Sequence, residues 1–189
     1  MAIVLASGSP RRRELLSMIG FHDFLVIPDI TAEDVPLGLS PERVVCHIAL
    51  RKAKNVSLSC GVSDTIIAAD TLVYLDDRLL GKPDGPEGAA EMLRALSGKR
   101  HTVYTGIALL RGDVHITGSE ATFVYFRDIA DSEIDAYVSS GEPMDKAGAY
   151  GAQGRAAIFV ERIEGDFFNV MGLPLCRLFV MLKDFGVDL

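Results

Sequence analysis

Arg11, Arg12 and Arg13 stand where a run of small residues, Ser7-Gly8-Ser9, hands over to Pro10. Serine followed by proline is a helix-start signature, with Ser9 as N-cap and Pro10 at the first helical position. Such an end carries unpaired backbone N–H groups and the positive pole of the helix, worth about 0.3–1 kcal/mol to a nearby anion. Three arginines there oppose one another and the dipole, so helix stability does not account for them. With about 3.6 residues per turn, Leu15, Leu16 and Ile19 form the buried stripe and Arg12 continues it toward the preceding turn. Arg11 falls at the margin, and Arg13 faces solvent with Glu14 and Ser17. A charge on the buried line points to a polyanion in a crevice, most simply a phosphate chain. A basic surface turn is the plain alternative.

Other side chains invite the same question. Lys52 follows Val44, Val45, Ile48 and Ala49 on one helical face, so burial must be offset by an anion, by a hydrogen-bonding network, or by snorkelling of its stem to the surface. Asp70 closes the apolar run Thr65 to Ala69, where ligands bind in open α/β sheets, although an aspartate capping a turn reads the same way. Lys82 is set between Gly81 and Pro83, which present it by shape. Glu33 and Asp34 form an acidic loop pair that suits either a cation or solvent. Glycines 148, 151 and 154 can turn backbone N–H groups toward a ligand, with Lys146 and Gln153 adding a charge and a two-sided amide. No G-x-x-x-x-G-K-[ST] occurs, so this is not a Walker-type loop. His101 and His115 lack metal-ligand spacing and read as structural.

The elements that must position these groups alternate between periods. Ile3 to Ala6 predicts a strand feeding the first helix, and Phe24 to Ile30 a second short strand. A helix capped by Ser40 starts at Pro41. The apolar run from Thr65 predicts a strand covered on both faces, in the parallel part of an α/β sheet. Leu72 to Leu75 and Arg78 to Leu80 predict a hairpin around Asp76-Asp77, and Pro86 to Ser97 a helix. His101 to Leu110 and Val114 to Phe126 predict long strands joined across Gly112-Asp113. A helix over 132–139 capped by Asp131, a strand from Ala156 to Ile163, a loop from Gly165 to Asn169 and a closing helix from Pro174 to Phe185 complete the reading.

With 189 residues, 49% hydrophobic and 24% charged, the chain has enough material for one well-packed core, and residues 1–189 are expected to form a single domain. A net charge of −7 argues against nucleic-acid polymers and acidic membranes, which reward a basic face, but leaves room for a small anion in a local basic pocket. A polymer-acting nuclease is disfavoured on that ground. The three cysteines, Cys46, Cys60 and Cys176, cannot all pair within one chain and are expected to be reduced and mostly buried. No leader-like start or bilayer-length apolar segment is present, and the cytoplasm is the expected location.

Three stretches taken together resemble the Maf family of nucleotide pyrophosphatases: S-x-S-P-R-R at Ser7 to Arg12, D-T followed by G-K-P at Asp70 to Pro83, and G-E-P-x-D-K-A-G-A-Y-G-x-Q-G running on to N-V-x-G-L-P at Asn169 to Pro174. The likeness runs from residue 3 to about 182. It implies a mixed α/β fold with a long central sheet, flanking helices and a cleft, related to the inosine triphosphate pyrophosphatases, in a homodimer. The implied reaction is hydrolysis of a nucleoside triphosphate between its α and β phosphates, with a divalent cation, Mg²⁺ or Mn²⁺. Relatives are connected with removal of non-standard nucleotides and with arrest of cell division. Thr71 and Gln153 look like the branch acting on dTTP and UTP, with modified pyrimidine nucleotides as further candidates. The 7-methyl-GTP branch and a nucleotide-binding regulator of septum formation without turnover are the alternatives.

The resemblance also implies roles. Ser7, Ser9, Arg11, Arg12, Lys52 and Lys82 bind phosphate; Asp70 is the proton acceptor and shares the metal with Glu33; Arg12, Thr71 and Gln153 set base choice. The chemistry is consistent, because charge builds on the leaving pyrophosphate and fixed cations stabilise it. An aspartate of ordinary pKa, about 3.9, is a weak base, which gives the metal its importance.

Overall fold

The computed structural model describes residues 1–31 and 35–187. The chain forms two compact units, Met1–Asp70 with Thr105–Glu120 and Gly172–Leu189 in the first, and Thr71–Tyr104 with Ala121–Met171 in the second. The strands are β1 (Ile3–Leu5), β2 (Leu25–Val26), β3 (Thr65–Leu75), β4 (Arg78–Leu80), β5 (Arg100–Arg111), β6 (Val114–Phe126) and β7 (Val160–Glu164). They form one mixed sheet in the order β2-β1-β3-β5-β6-β7, with β4 paired to β3. The helices are α1 (Pro10–Met18), α2 (Pro41–Ser57), α3 (Gly85–Leu96), α4 (Asp131–Ser139), α5 (Phe167–Met171) and α6 (Leu175–Asp184). The boundary between units falls inside β3, β5 and β6, whose length lets each strand serve both.

In the first unit β1 pairs in parallel with β2 and β3, Leu5 lying opposite Val26 and Ile67. Val4, Ala6, Ile66, Ala68, Ala108 and Leu110 meet Ala49, Ala53 and Val56 of α2 in one buried cluster. Alanines on both sides let helix and sheet approach closely. Gly106 of β5 marks the tightest point, because a Cβ there would overlap the Val45 backbone. Any side chain at Gly106 must displace α2. In the second unit Leu93 and Leu96 of α3, Ile134 and Tyr137 of α4, and Val103, Val124, Phe126 and Phe159 build a separate core.

Several expectations need correction. The second strand is only Leu25–Val26, both half-exposed on the sheet edge, and Pro28 lacks the N–H that would extend pairing. Ala156 to Ile163 is not one strand: Arg155–Phe159 is a 3₁₀ turn, and extended backbone starts only at Val160. Gly165 to Asn169 is not all loop, because Asp166 accepts the Phe168 N–H at 2.8 Å and so starts α5. The N-cap of α4 is Ala130, whose N–H goes to Glu133 at 3.0 Å, and Asp131 lies in the first turn. Cys46 and Cys60 are half-buried and Cys176 is exposed; burial pushes the Cys46 thiol up despite hydrogen bonds to Ser119 and Thr117.

Candidate functional site

The first unit gathers most of the expected groups. The β1–β3 register puts Leu5 opposite Ile67, and Ala6 donates to the Ile67 carbonyl at 2.8 Å. The Ser7-Gly8-Ser9 turn therefore leaves the sheet at the level where β3 approaches Asp70. Ser7 is buried, and its hydroxyl accepts the Ser9 N–H at 3.3 Å and Arg12 Nη1 at 3.2 Å. Arg12 Nε donates to the Gly172 carbonyl at 2.7 Å, which ties the start of α1 to the final segment of the chain. Ser9 stands at the N-cap of α1, but its hydroxyl makes no cap bond with that helix.

The helical-face reading of the arginines holds only in part, since Arg11 and Arg12 are alike half-buried, Ile19 is half-buried beyond the end of α1, and Ser17 is half-buried and not turned to solvent. Leu15 and Leu16 are buried, and Arg13 is exposed. Arg13 is nevertheless not in open solvent: with Ser7, Ser9, Glu14 and Val26 it lines an open depression of about 550 Å³. The two arginines thus face different surroundings, one anchored by main chain and hydroxyl, the other on a pocket wall.

Lys52 does not snorkel. It is 9% exposed on the apolar face of α2, and its Nζ lies 2.6 Å from Oδ1 of Asp70, itself 4% exposed. Two such charges leave water only at a free-energy cost that close pairing offsets. Asp70 is the sixth residue of β3, not its end, since the strand runs on to Leu75 and pairs with β4 through Val73, Tyr74 and Leu75. The apolar run ends at Asp70 while the ladder continues.

The second unit carries Thr71, Lys82 and Gln153. Thr71 is half-buried next to Asp70 in β3, whereas Lys82 and Gln153 are exposed. Gly81 accepts the Gly148 N–H at 3.0 Å, so the backbone beside Lys82 is joined to the glycine-rich segment. Gly148 has φ of 68° and a Cβ there would press on Val73 at 3.1 Å, so glycine is required for conformation and for space. Lys146 is not held out toward a ligand: its Nζ donates to the Glu142 carbonyl at 2.6 Å and to Asp145 at 2.7 Å.

Glu33 lies outside the described residues. Among the described residues no three His, Cys, Asp or Glu side chains gather as a metal cluster. A Mg²⁺-class ion does not need one, since it takes one or two carboxylates and completes its shell with water and substrate phosphate. The buried oxygen donor Asp70 fits that chemistry.

Sequence reasoning missed the Gly172 carbonyl under Arg12, the Asn169 amide that donates to the Val103 carbonyl and to Thr122 Oγ1 at 2.9 Å each, and the hold that Glu142 has on the glycine-rich loop. All lie in the stretches that carry the family likeness, which was their only signal. His101, read as structural, is buried with Nε2 2.7 Å from the Tyr150 hydroxyl, and burial lowers its pKa to about 4.

This fold and site define a class of mixed α/β proteins in which one strand leads through a serine-rich turn into a helix N-terminus and the strand paired with it carries the aspartate of a buried carboxylate–ammonium pair. Within that class the chain belongs to the Maf family, whose model, described as Maf-like protein, matches residues 2–185. It is 50% identical over 190 residues to a protein of Moorella thermoacetica and 45% identical over 186 residues to one of Bacillus cereus (strain AH820). Both are named dTTP/UTP pyrophosphatase, and each match covers 98% of this chain and 96% of the relative. Among solved structures, a HAM1 protein from Coxiella burnetii shares the fold with a TM-score of 0.52 at 18% identity, covering 97% of this chain and 99% of that one.

Proposed function

We propose that this chain is a nucleoside triphosphate pyrophosphatase that hydrolyses dTTP and UTP to the monophosphate and pyrophosphate. The observation that carries the proposal is the buried contact of 2.6 Å between Lys52 and Asp70, a base and a cation held together inside a fold whose relatives bear that activity in their names. A buried ion pair contributes little to stability relative to apolar side chains of the same volume, so a chemical role is the more economical reading.

Asp70 orients the attacking water and accepts its proton as the oxygen–phosphorus bond forms at the α phosphorus and the bond to the leaving pyrophosphate breaks. Once Asp70 is protonated it no longer balances Lys52, whose positive charge then acts on the phosphate oxygens. Ser7, Ser9, Arg11 and Arg12 bind phosphate at the start of α1, and Lys82 binds a further phosphate oxygen. Arg12 and Thr71 contribute to base choice, and Gln153 presents donor and acceptor to a pyrimidine edge. Asp70 and Glu33 would hold a Mg²⁺ or Mn²⁺ ion, which when bound would neutralise triphosphate charge. The homodimer and the cytoplasm, where nucleoside triphosphates are made, belong to the same proposal.

The test is a panel of nucleoside triphosphates with Mg²⁺ or Mn²⁺, with pyrophosphate and orthophosphate separated as products. The expected result is pyrophosphate from dTTP and UTP ahead of the other nucleotides. Orthophosphate as the sole product, or binding without turnover, contradicts the proposal.

A further inference from the structure

The segment that presents Gln153 is short, exposed and rich in glycine, which is a poor basis for reading a base edge unless something fixes its backbone. The second unit supplies that hold from beneath. Glu142 opens a 3₁₀ turn, Glu142–Asp145, after Gly141 in the left-handed conformation with φ of 74°. Its Oε2 accepts the backbone N–H of Arg155 at 3.1 Å, and its Oε1 accepts the Tyr137 hydroxyl at 3.1 Å. The same Tyr137 oxygen accepts the N–H of Gly151 at 3.3 Å. Gly154 donates to the Gly151 carbonyl at 3.0 Å and closes the turn.

The backbone is therefore held at Gly151 and at Arg155, on either side of Gln153, and both holds lead to one carboxylate. Space enforces the arrangement as strictly as hydrogen bonding does. A Cβ at Gly154 would overlap the Glu142 carboxylate, with Cδ only 2.6 Å away, and one at Gly151 would stand 2.8 Å from Lys146 Cε. Lys146 in turn grips the Glu142 carbonyl, which keeps the carboxylate's own backbone in place. Tyr137 is fixed independently by its ring, edge-on to Phe159 in the core with centroids 5.4 Å apart. Burial and the neighbouring Glu142 raise its hydroxyl pKa, which keeps it a proton donor to that carboxylate.

We propose that Glu142 is a positioning residue for base selection, its carboxylate bracing the Gly151 to Arg155 loop so that Gln153 meets the pyrimidine edge in one orientation. This rests on the reading of Gln153 given above, and it assigns Glu142 no contact with substrate.

The experiment compares kcat and KM for dTTP, UTP, CTP and GTP in Glu142→Ala, Glu142→Gln, Gly154→Ala, Gln153→Ala and the Glu142→Ala/Gln153→Ala double variant, with thermal melting of each. Glu142→Ala and Gly154→Ala are expected to lower the preference for dTTP over GTP about tenfold, chiefly through KM for dTTP, with kcat within about threefold of wild type. Glu142→Gln keeps an acceptor oxygen and should recover part of the preference. The double variant should discriminate no worse than Gln153→Ala, because both changes act through one side chain. If Gln153→Ala lowers the preference but Glu142→Ala, folded, does not, the bracing role is overturned and the base-reading role stands. If Gln153→Ala leaves the preference unchanged, the base-reading role itself fails. Should Glu142→Ala not fold, Glu142→Gln and Gly154→Ala decide: wild-type preference in both overturns the proposal.

Discussion

The two glycine-containing turns of this protein solve opposite problems. Ser7-Gly8-Ser9 leads into a helix whose arginine is held by side-chain bonds to a main-chain carbonyl and a hydroxyl, beside a buried ion pair. The loop from Gly148 to Gly154 carries an exposed glutamine and is held through its backbone by Glu142 and Tyr137. Groups that act on charge are fixed by counter-charge and burial, where the local dielectric strengthens each contact. A group that selects among neutral edges sits outside, and its precision depends on the backbone beneath it. Substitutions should therefore fail differently in the two places, through turnover in the first and through discrimination in the second.

The largest effect is expected at Asp70. Asp70→Asn should lower pyrophosphate release by roughly 10²–10⁴-fold while nucleotide binding persists, as measured by calorimetry alongside turnover. Full activity would remove Asp70 from the reaction. Lys52→Met comes next, with a rate loss on the order of 10²-fold and a stability loss of about 3–5 kcal/mol in urea unfolding, because it removes the cation beside a buried carboxylate. Arg12→Ala should cost about tenfold or more in kcat/KM, against less than about threefold for Arg13→Ala or for Lys54→Ala, a change on the exposed side of α2 away from Lys52. The depression beside Arg13 sharpens that comparison: equal losses for Arg12 and Arg13 would move the anion to the outer wall of α1.

A smaller effect belongs to the core of the second unit. His101 has its pKa lowered to about 4 from an ordinary 6.5 by burial alone. Between those values the unfolded chain binds a proton that the native chain does not. Its contribution is thus complete above pH 6.5 and is lost as pH falls toward 4, on the order of 3 kcal/mol in all. His101→Gln should flatten the fall in unfolding free energy over that window. An unchanged slope would place the dependence elsewhere.

How much of this was legible in the sequence follows from which interactions are local. The helix beginning at Pro10 and the place of Lys52 on the apolar face of α2 were readable, because serine-proline starts and a 3.6-residue stripe are local patterns; that its ammonium stays inside, paired with Asp70, was not. The parallel pairing of the start of β3 with β1 was readable from the unbroken apolar run, whereas the end of the strand pairs antiparallel with β4. Asp70 reads as a strand end because polarity changes there; the hairpin of Leu72 to Leu75 with Arg78 to Leu80 was readable from its turn, but not that its first strand is continuous with the apolar run from Thr65. The start of α5 was missed because Asp166 reads equally as a turn residue. The bonds from Glu142 to Arg155 and from Arg12 to Gly172 span 13 and 160 positions, and no local rule reaches them. Glu33 falls in the segment outside the described residues, so its role rests on the resemblance.

The most direct test of the central claim is where water attacks. Hydrolysis of dTTP in ¹⁸O-labelled water, followed by mass spectrometry of both products, should place one labelled oxygen in dTMP and none in pyrophosphate. That result means attack at the α phosphorus with pyrophosphate leaving, the reaction assigned to Asp70. Label in pyrophosphate, or orthophosphate as the released product, would contradict the account.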